Sequence, residues 1–249
     1  MDILIRRIIN NDPTLLELRR MRDIYYVDYE QLKLLTEALK YNHIIKSADL
    51  FNGNIDVKGC KLLSDMLKVN NSLTKIYLYS NRIKDDGCKI LCEGLKTNKG
   101  LKYLNLAGNG ITCEGMKYLS NMLKVNTTLT SLILFNNYIA DDAIKYITDI
   151  LTINTTLNDL NLWNNHISNC GGKIICDSLG HNFSLLSFDL NSNNIKDIYL
   201  QQIGKYILRN EQYKLEGSIS LVGACKNIIR KNRASFDLDN LCDELLQQI

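Results

Sequence analysis

Three histidines, eight cysteines and two pairs of adjacent aspartates are the side chains of this 249-residue sequence whose types could do chemistry. A histidine needs a nucleophile or a carboxylate at a fixed offset to act as a general base. His43, His166 and His181 have no such offset imposed. Zinc needs four nitrogen or sulfur ligands, usually with a C-x-x-C pair. Cys88 and Cys92 stand four apart, and no further pair completes the set. Asp85-Asp86 and Asp141-Asp142 could meet a cation, but carboxylates at a helix start also cap free amides and favour the helix dipole. No glycine-rich phosphate loop occurs, since Gly171-Gly172 is a repeat glycine with a neighbour. The expectation is no catalytic residue, no metal site and no cofactor.

Most of these residues are positioned by a repeat; Cys225 and Cys242 lie beyond it. From Leu73 the chain reads Leu-x-x-Ile-x-Leu-x-x-Asn-x-Ile, followed by Gly87, Leu91, Leu95 and Asn98. The phrase restarts every 28 residues at Leu101, Leu129, Leu157 and Leu185, and one step earlier at Ile45. Its first half alternates apolar and polar residues, as at Tyr103-Leu104-Asn105-Leu106, which predicts a short strand. Its second half spaces apolar residues by three and four, as at Met116, Leu119 and Leu123, which predicts a helix. An asparagine column (Asn81, Asn109, Asn137, Asn165, Asn193) stands at the bend and should bond backbone groups left unpaired there. Gly53 replaces it once, so that turn should be less well tied. The isoleucine column from Ile55 to Ile195 should plug the core beneath the bend. Cys60 and Cys88 share a packing column with Met116 and Ile144, so they read as small buried hydrophobes and not as ligands. The Asn-x-Ser/Thr patterns at Asn70, Asn126, Asn154 and Asn182 also share one column, which explains them better than glycosylation.

Strand and helix repeated at this spacing resemble the leucine-rich repeat family, in its ribonuclease-inhibitor-like class with 28-residue repeats. The resemblance implies an α/β solenoid, a horseshoe with parallel strands on the concave face and helices on the convex face. The domain reading is 1–44 as an N-terminal cap with a degenerate first repeat, 45–212 as six repeats, and 213–249 as a C-terminal helical cap. The degenerate repeat starts at Leu15, is two residues longer than the others, and has Arg20 where a core leucine would stand. A short helix from Ile3 to Ile9 should cover that end. Two amphipathic helices, Ser218 to Lys231 and Leu238 to Ile249, should cover the other. The phrase Asn11-Asp12-Pro13-Thr14-Leu15 is similar to the entry into tropomodulin-type repeat domains.

Subtracting the scaffold columns leaves the second, third, fifth, seventh and eighth positions of each phrase. The seventh reads Phe51, Tyr79, Ala107, Phe135, Trp163, Asn191: four aromatics in a chain that is 8% aromatic. Parallel neighbours lie ~4.8 Å apart, so these rings should form a ladder. Tyr77 and Ile133 in the fifth column and Tyr103 in the third extend it. Stacking alone would steady the strands, yet aromatics on an exposed face are also the usual anchors of a protein interface. The predicted contact set is Phe51, Tyr77, Tyr79, Tyr103, Asn105, Ala107, Ile133, Phe135, Asn161, Trp163 and Asp189. Ala107 and Gly108 should form a notch in the ladder able to take a partner's side chain. Arg19, Arg22, Lys46, Lys75 and Lys102 make the N-terminal half of this face basic, with Glu17 and Asp49 against them. Asp159 and Asp189 make the other half acidic.

A net charge of +3 is too small to imply nucleic acid or membrane as partner. The start of the chain has no signal-peptide pattern, and no stretch approaches the ~18 apolar residues of a membrane span. The leading expectation is therefore a non-enzymatic protein-binding scaffold, monomeric and cytoplasmic. Its Asn-, Ile- and Lys-rich composition also fits an effector delivered into a host cytosol. Two alternatives follow from resemblance. The GTPase-activating protein for the Ran GTPase has a similar repeat fold, and Arg82 at a strand-to-helix turn would be the contact. Tropomodulin-like entry at residues 11–15 implies binding at actin filament ends.

Overall fold

The computed structural model describes residues 2–18 and 28–217. Helix α1 (Asp2–Ile9) leads to strand β1 (Glu17–Leu18) and helix α2 (Tyr29–Lys40). Strands and helices then alternate: β2 (Ser47–Asp49), α3 (Val57–Leu67), β3 (Lys75–Tyr77), α4 (Lys84–Leu95), β4 (Tyr103–Asn105) and α5 (Cys113–Leu123). The order continues with β5 (Ser131–Ile133), a 3-10 turn at Asp141–Ala143, α6 (Ile144–Ile153), β6 (Asp159–Asn161), α7 (Asn169–Leu179), β7 (Ser187–Asp189) and α8 (Asp197–Gly217). The strands form one seven-stranded sheet in chain order, every neighbour parallel. Register follows the period, so Lys75, Tyr103, Ser131 and Asp159 lie side by side. The first step is longer, pairing Glu17 with Ser47. This is an α/β repeat solenoid, with each strand beside the next and each helix packed on its neighbours.

Between sheet and helices lies one continuous core. Leu106, Ile111, Leu129, Leu134, Ile139 and Leu160 are fully enclosed, and so are Cys60 and Cys88. Burial pushes the Cys60 thiol up to about 12. Cys88 is raised too, by its contact with Cys92 and by burial, so neither thiol presents a thiolate at neutral pH.

Such a core buries backbone wherever a strand bends, and those polar groups need partners. The asparagine column supplies them across repeats. Asn81 Nδ2 donates to Leu78 O (2.9 Å) in its own turn and Leu50 O (3.0 Å) in the previous repeat, while Oδ1 accepts the Ile55 amide (2.9 Å). Each asparagine thus ties the turn before its own. The turn containing Gly53 is tied by Asn81 from the next repeat, at Leu50 O and the Ile55 amide, but lacks the asparagine of its own that gives Leu78 O, Leu134 O and Leu162 O a second donor.

A second buried asparagine column closes the helix ends. Asn98 Nδ2 donates to Leu67 O and Asn70 O, both 2.8 Å, and its Oδ1 accepts the amides of Gly100 (3.0 Å) and Leu101 (2.7 Å). Asn70, Asn126, Asn154 and Asn182 do the same work, which accounts for the sequon-like column. Asn42 begins the ladder, donating to Ile8 O (2.8 Å) and so holding α1 on the array. Arg209 ends it. Its guanidinium donates to Gly180 O (2.8 Å), Asn182 O (2.5 Å) and Leu179 O (3.3 Å), two of them carbonyls an asparagine would have taken. It is held between the rings of Phe183 (4.2 Å) and Tyr206 (4.9 Å), and burial lowers its pKa.

The first aspartate of each acidic pair caps a helix, though not its own. Asp85 accepts the amides of Thr112 and Gly115 (both 2.9 Å) and the Thr112 hydroxyl (2.7 Å), closing the start of α5 one repeat on. Asp141 likewise takes the Ser168 amide (2.8 Å) and hydroxyl at the start of α7. Helix α4, which Asp85 was expected to cap, has no side-chain cap. The phrase at residues 11–15 is also bound locally. Asp12 is held down to about 2 by the Thr14 hydroxyl and by Arg7, at 2.7 and 2.6 Å. The expectations for Arg19, Arg20, Arg22 and the two helices beyond residue 217 fall outside the described residues.

Candidate partner-binding face

The third, fifth and seventh columns come out on the sheet face opposite the core. Four rings of the seventh column form one unbroken row. Phe51 stacks on Tyr79 (centroids 5.0 Å apart, planes at 25°), Tyr79 meets Phe135 (5.2 Å, 46°), and Phe135 meets Trp163 edge-on (5.9 Å, 70°). Beside it, Tyr77 and Tyr103 pair at 4.9 Å. Each such pair adds roughly 0.5–1.5 kcal/mol beyond its buried area. Phe51, Tyr77, Tyr79, Tyr103 and Phe135 are half-buried by this mutual contact, and Trp163 is the most open at 37% exposure. The Tyr103 phenol is raised by burial and by the neighbouring Tyr77 and Asp159.

Three predicted contact residues are not surface. Ala107 is fully buried, and the expected notch is closed: Tyr79 and Phe135 lean together above Ala107 and meet across the strand. A side chain at Gly108 would come within 3.0 Å of the Tyr79 ring, and its backbone φ is +60°. Asn105 is 9% exposed and Ile133 8%, because the rings and neighbouring strands cover them.

Several positions that seemed unassigned carry backbone. In the fifth column, Asp49 accepts the Phe51 amide (3.0 Å), Asn105 that of Ala107 (3.0 Å), Asn161 that of Trp163 (2.9 Å) and Asp189 that of Asn191 (3.0 Å). These turns seat the seventh-column residues. The eighth column is left-handed throughout: Asn52, Ser80, Gly108, Asn136, Asn164 and Ser192 have φ between +48° and +60°. Only residues that tolerate this region stand there, a signal present in the sequence and readable from the Asn/Ser/Gly restriction. Of the predicted set, Phe51, Tyr77, Tyr79, Tyr103, Phe135, Asn161, Trp163 and Asp189 share one partly open face.

Two further features lie at the strand-to-helix turns. Tyr138, 64% exposed, stacks parallel on His166 at 5.8 Å, a pair the sequence reading passed over. Arg82 is exposed and donates its amide to Ile55 O (2.9 Å). Among the described residues, no group of three or more His, Cys, Asp or Glu side chains could hold a metal ion. No described helix is long and apolar enough to cross a membrane.

A family described as Leucine Rich repeat matches residues 69–92, 97–120, 125–147 and 181–198. Compared by sequence with curated proteins, the chain matches none. Among solved structures, the tropomodulin C-terminal domain of Caenorhabditis elegans aligns with a TM-score of 0.54 at 15% identity, over 64% of this chain and 96% of that one. A structure titled Leiomodin-1 Actin-Binding Site 2 aligns at 0.41 and 21% identity, over 88% and 93%. The unmatched stretch between residues 147 and 181 holds β6 and α7 with the same column geometry as its neighbours. Repeat columns, parallel sheet and matched segments together identify the chain as a leucine-rich repeat protein.

Proposed function

We propose that this chain is a non-enzymatic scaffold that grips a protein partner through its strand face, acting as a monomer in a cytosol, its own or a host's. The carrying observation is the row from Phe51 to Trp163. The scaffold leucines and isoleucines of the central repeats are enclosed, whereas four large rings stand in line on the sheet's other face. Rings held rigidly by their neighbours lose little side-chain entropy on binding, which suits them as anchors. Such a row spans several strands, so it fits a polypeptide better than a small molecule.

The test is affinity capture from a eukaryotic lysate with wild type and a Phe135→Ala/Trp163→Ala variant, both checked for folding by circular dichroism. The expected result is loss of the captured partner by tenfold or more, about 1.4 kcal/mol or above. A folded variant that retains the partner at full affinity would refute the strand face as the interface.

A further inference from the structure

Charge on the strand face is separated along the array: Lys75 lies on β3 and Lys102 beside β4, Asp159 and Asp189 lie on β6 and β7, and Glu17 and Asp49 stand on the outer strands β1 and β2. The ion pairs of the repeats lie on the helix side, as in Lys68 with Asp65 (3.1 Å), Lys96 with Glu93 (2.7 Å) and Lys124 with Asp149 (2.9 Å). Lys75 on β3 and Lys102 at the start of β4 are exposed and enter no ion pair among the described residues. The outward positions of β3 and β4 carry no acid to offset them. On β6 and β7 the signs reverse. Among the described residues, Asp159 accepts the Ser131 hydroxyl (2.6 Å) and Asp189 accepts amides, including Asn161 Nδ2 (3.4 Å), with no Lys or Arg at outward positions of either strand. At ~4.8 Å per strand, Lys75 and Asp159 are ~14 Å apart, beyond the ~8 Å screening length of physiological salt. The two ends therefore act on a ligand separately, with the ring row between and alongside them.

We propose that the strand face takes a single polypeptide segment lying across the strands. Its acidic end rests over Lys75 and Lys102, its large apolar side chains on the rings, and its basic end over Asp159 and Asp189. This rests on the strand face being the binding surface, and it adds the partner's charge order. The rings supply affinity, and the charges fix which way the segment runs, since the reversed orientation sets like charges together.

The experiment uses a random-peptide phage library selected on the full chain. Selected peptides should carry Asp or Glu at one end, large apolar residues in the middle and Lys or Arg at the other. They should bind about tenfold more weakly to Lys75→Glu/Lys102→Glu, whose changes touch only exposed, unpaired lysines. On the variant that also carries Asp159→Lys and Asp189→Lys, selection should return peptides with the charge order reversed. Peptides that need Phe135 and Trp163 yet show no charge order overturn this inference and leave the strand-face reading standing. Peptides that bind the Phe135→Ala/Trp163→Ala variant undiminished overturn both. A library that yields no ring-dependent binder counts against the segment as ligand.

Discussion

At the residue scale, asparagine does the work that hydrophobicity alone would leave undone. The chain must bend twice per repeat inside a packed interior, and each bend strands amides and carbonyls away from water. Asn137 meets five of these groups: it donates to Leu134 O (2.9 Å), Leu106 O (3.1 Å) and, at greater length, Phe135 O (3.3 Å), and accepts the amides of Ile111 (3.0 Å) and Asn109 (3.1 Å). An apolar replacement leaves Leu106 O and the Ile111 and Asn109 amides buried without this partner, while Leu134 O keeps Asn165 Nδ2 (3.0 Å), at ~1–3 kcal/mol for each group that cannot relax. Asn137→Ala should lower stability by about 3 kcal/mol in urea unfolding, and Asn193→Ala, whose site is part-buried, by less. Equal losses at the two positions would show that burial is not what makes the asparagine necessary. The aspartates argue similarly. Asp85 is recognisable in sequence as a cap, yet the amides it serves belong to residues 27 and 30 further along. A cap read from sequence is assigned to its nearest helix, and only packing reveals that a neighbouring helix start is closer.

At the element scale, helices pack as closely as their backbones allow. A Cβ on Gly94 of α4 would lie 2.6 Å from Ser64 O of α3, and backbone carbonyl cannot swing aside as a side chain can. Gly94→Ala should therefore cost about 1–3 kcal/mol through separation of α3 from α4. Gly204 of α8 has nothing within 4 Å of the same added atom. There only the intrinsic helix preference changes, and Gly204→Ala should raise stability by about 0.5–1 kcal/mol. Thermal unfolding of the two variants should move in opposite directions, and a gain at Gly94 would refute the close approach. Strands, helices and their order were legible from the period, because side-chain periods of two and of about 3.6 differ visibly along a phrase. The left-handed position of each turn was also written in the eighth column, in the run of Asn, Ser and Gly, and needed backbone angles to be recognised.

At the scale of the whole molecule, the solenoid stacks its repeats into one core, and adjacent repeats share asparagine bonds across every junction. Opening one repeat exposes the groups of its neighbours, so the array should open over several repeats together. Its cysteines report this. Cys60, Cys88 and Cys92 are buried, with Cys60 also kept protonated by burial and Cys88 by its contact with Cys92 and by burial, whereas Cys170 is exposed. Thiol labelling of the native protein, read by peptide mass spectrometry, should modify Cys170 promptly and leave the other three until denaturant opens the array, when they should react together. Prompt labelling of Cys88 alone would refute a shared opening.

By itself the sequence determined the fold of this protein: a strict period admits one stacking, places leucine and isoleucine inside, and assigns asparagine to the bends. It also named the ring column, since residues left over from the scaffold must face outward or pack on one another. Tertiary structure decided between those two fates. Whether Ala107 leaves a gap depends on how far Tyr79 and Phe135 lean, and they close it. Whether Asn105 and Ile133 meet solvent depends on the width of the rings beside them, and they are covered. Exposure belongs to the volume of neighbours in space, which a one-dimensional pattern does not contain, and for that reason the open part of the face could be read only from the assembled array.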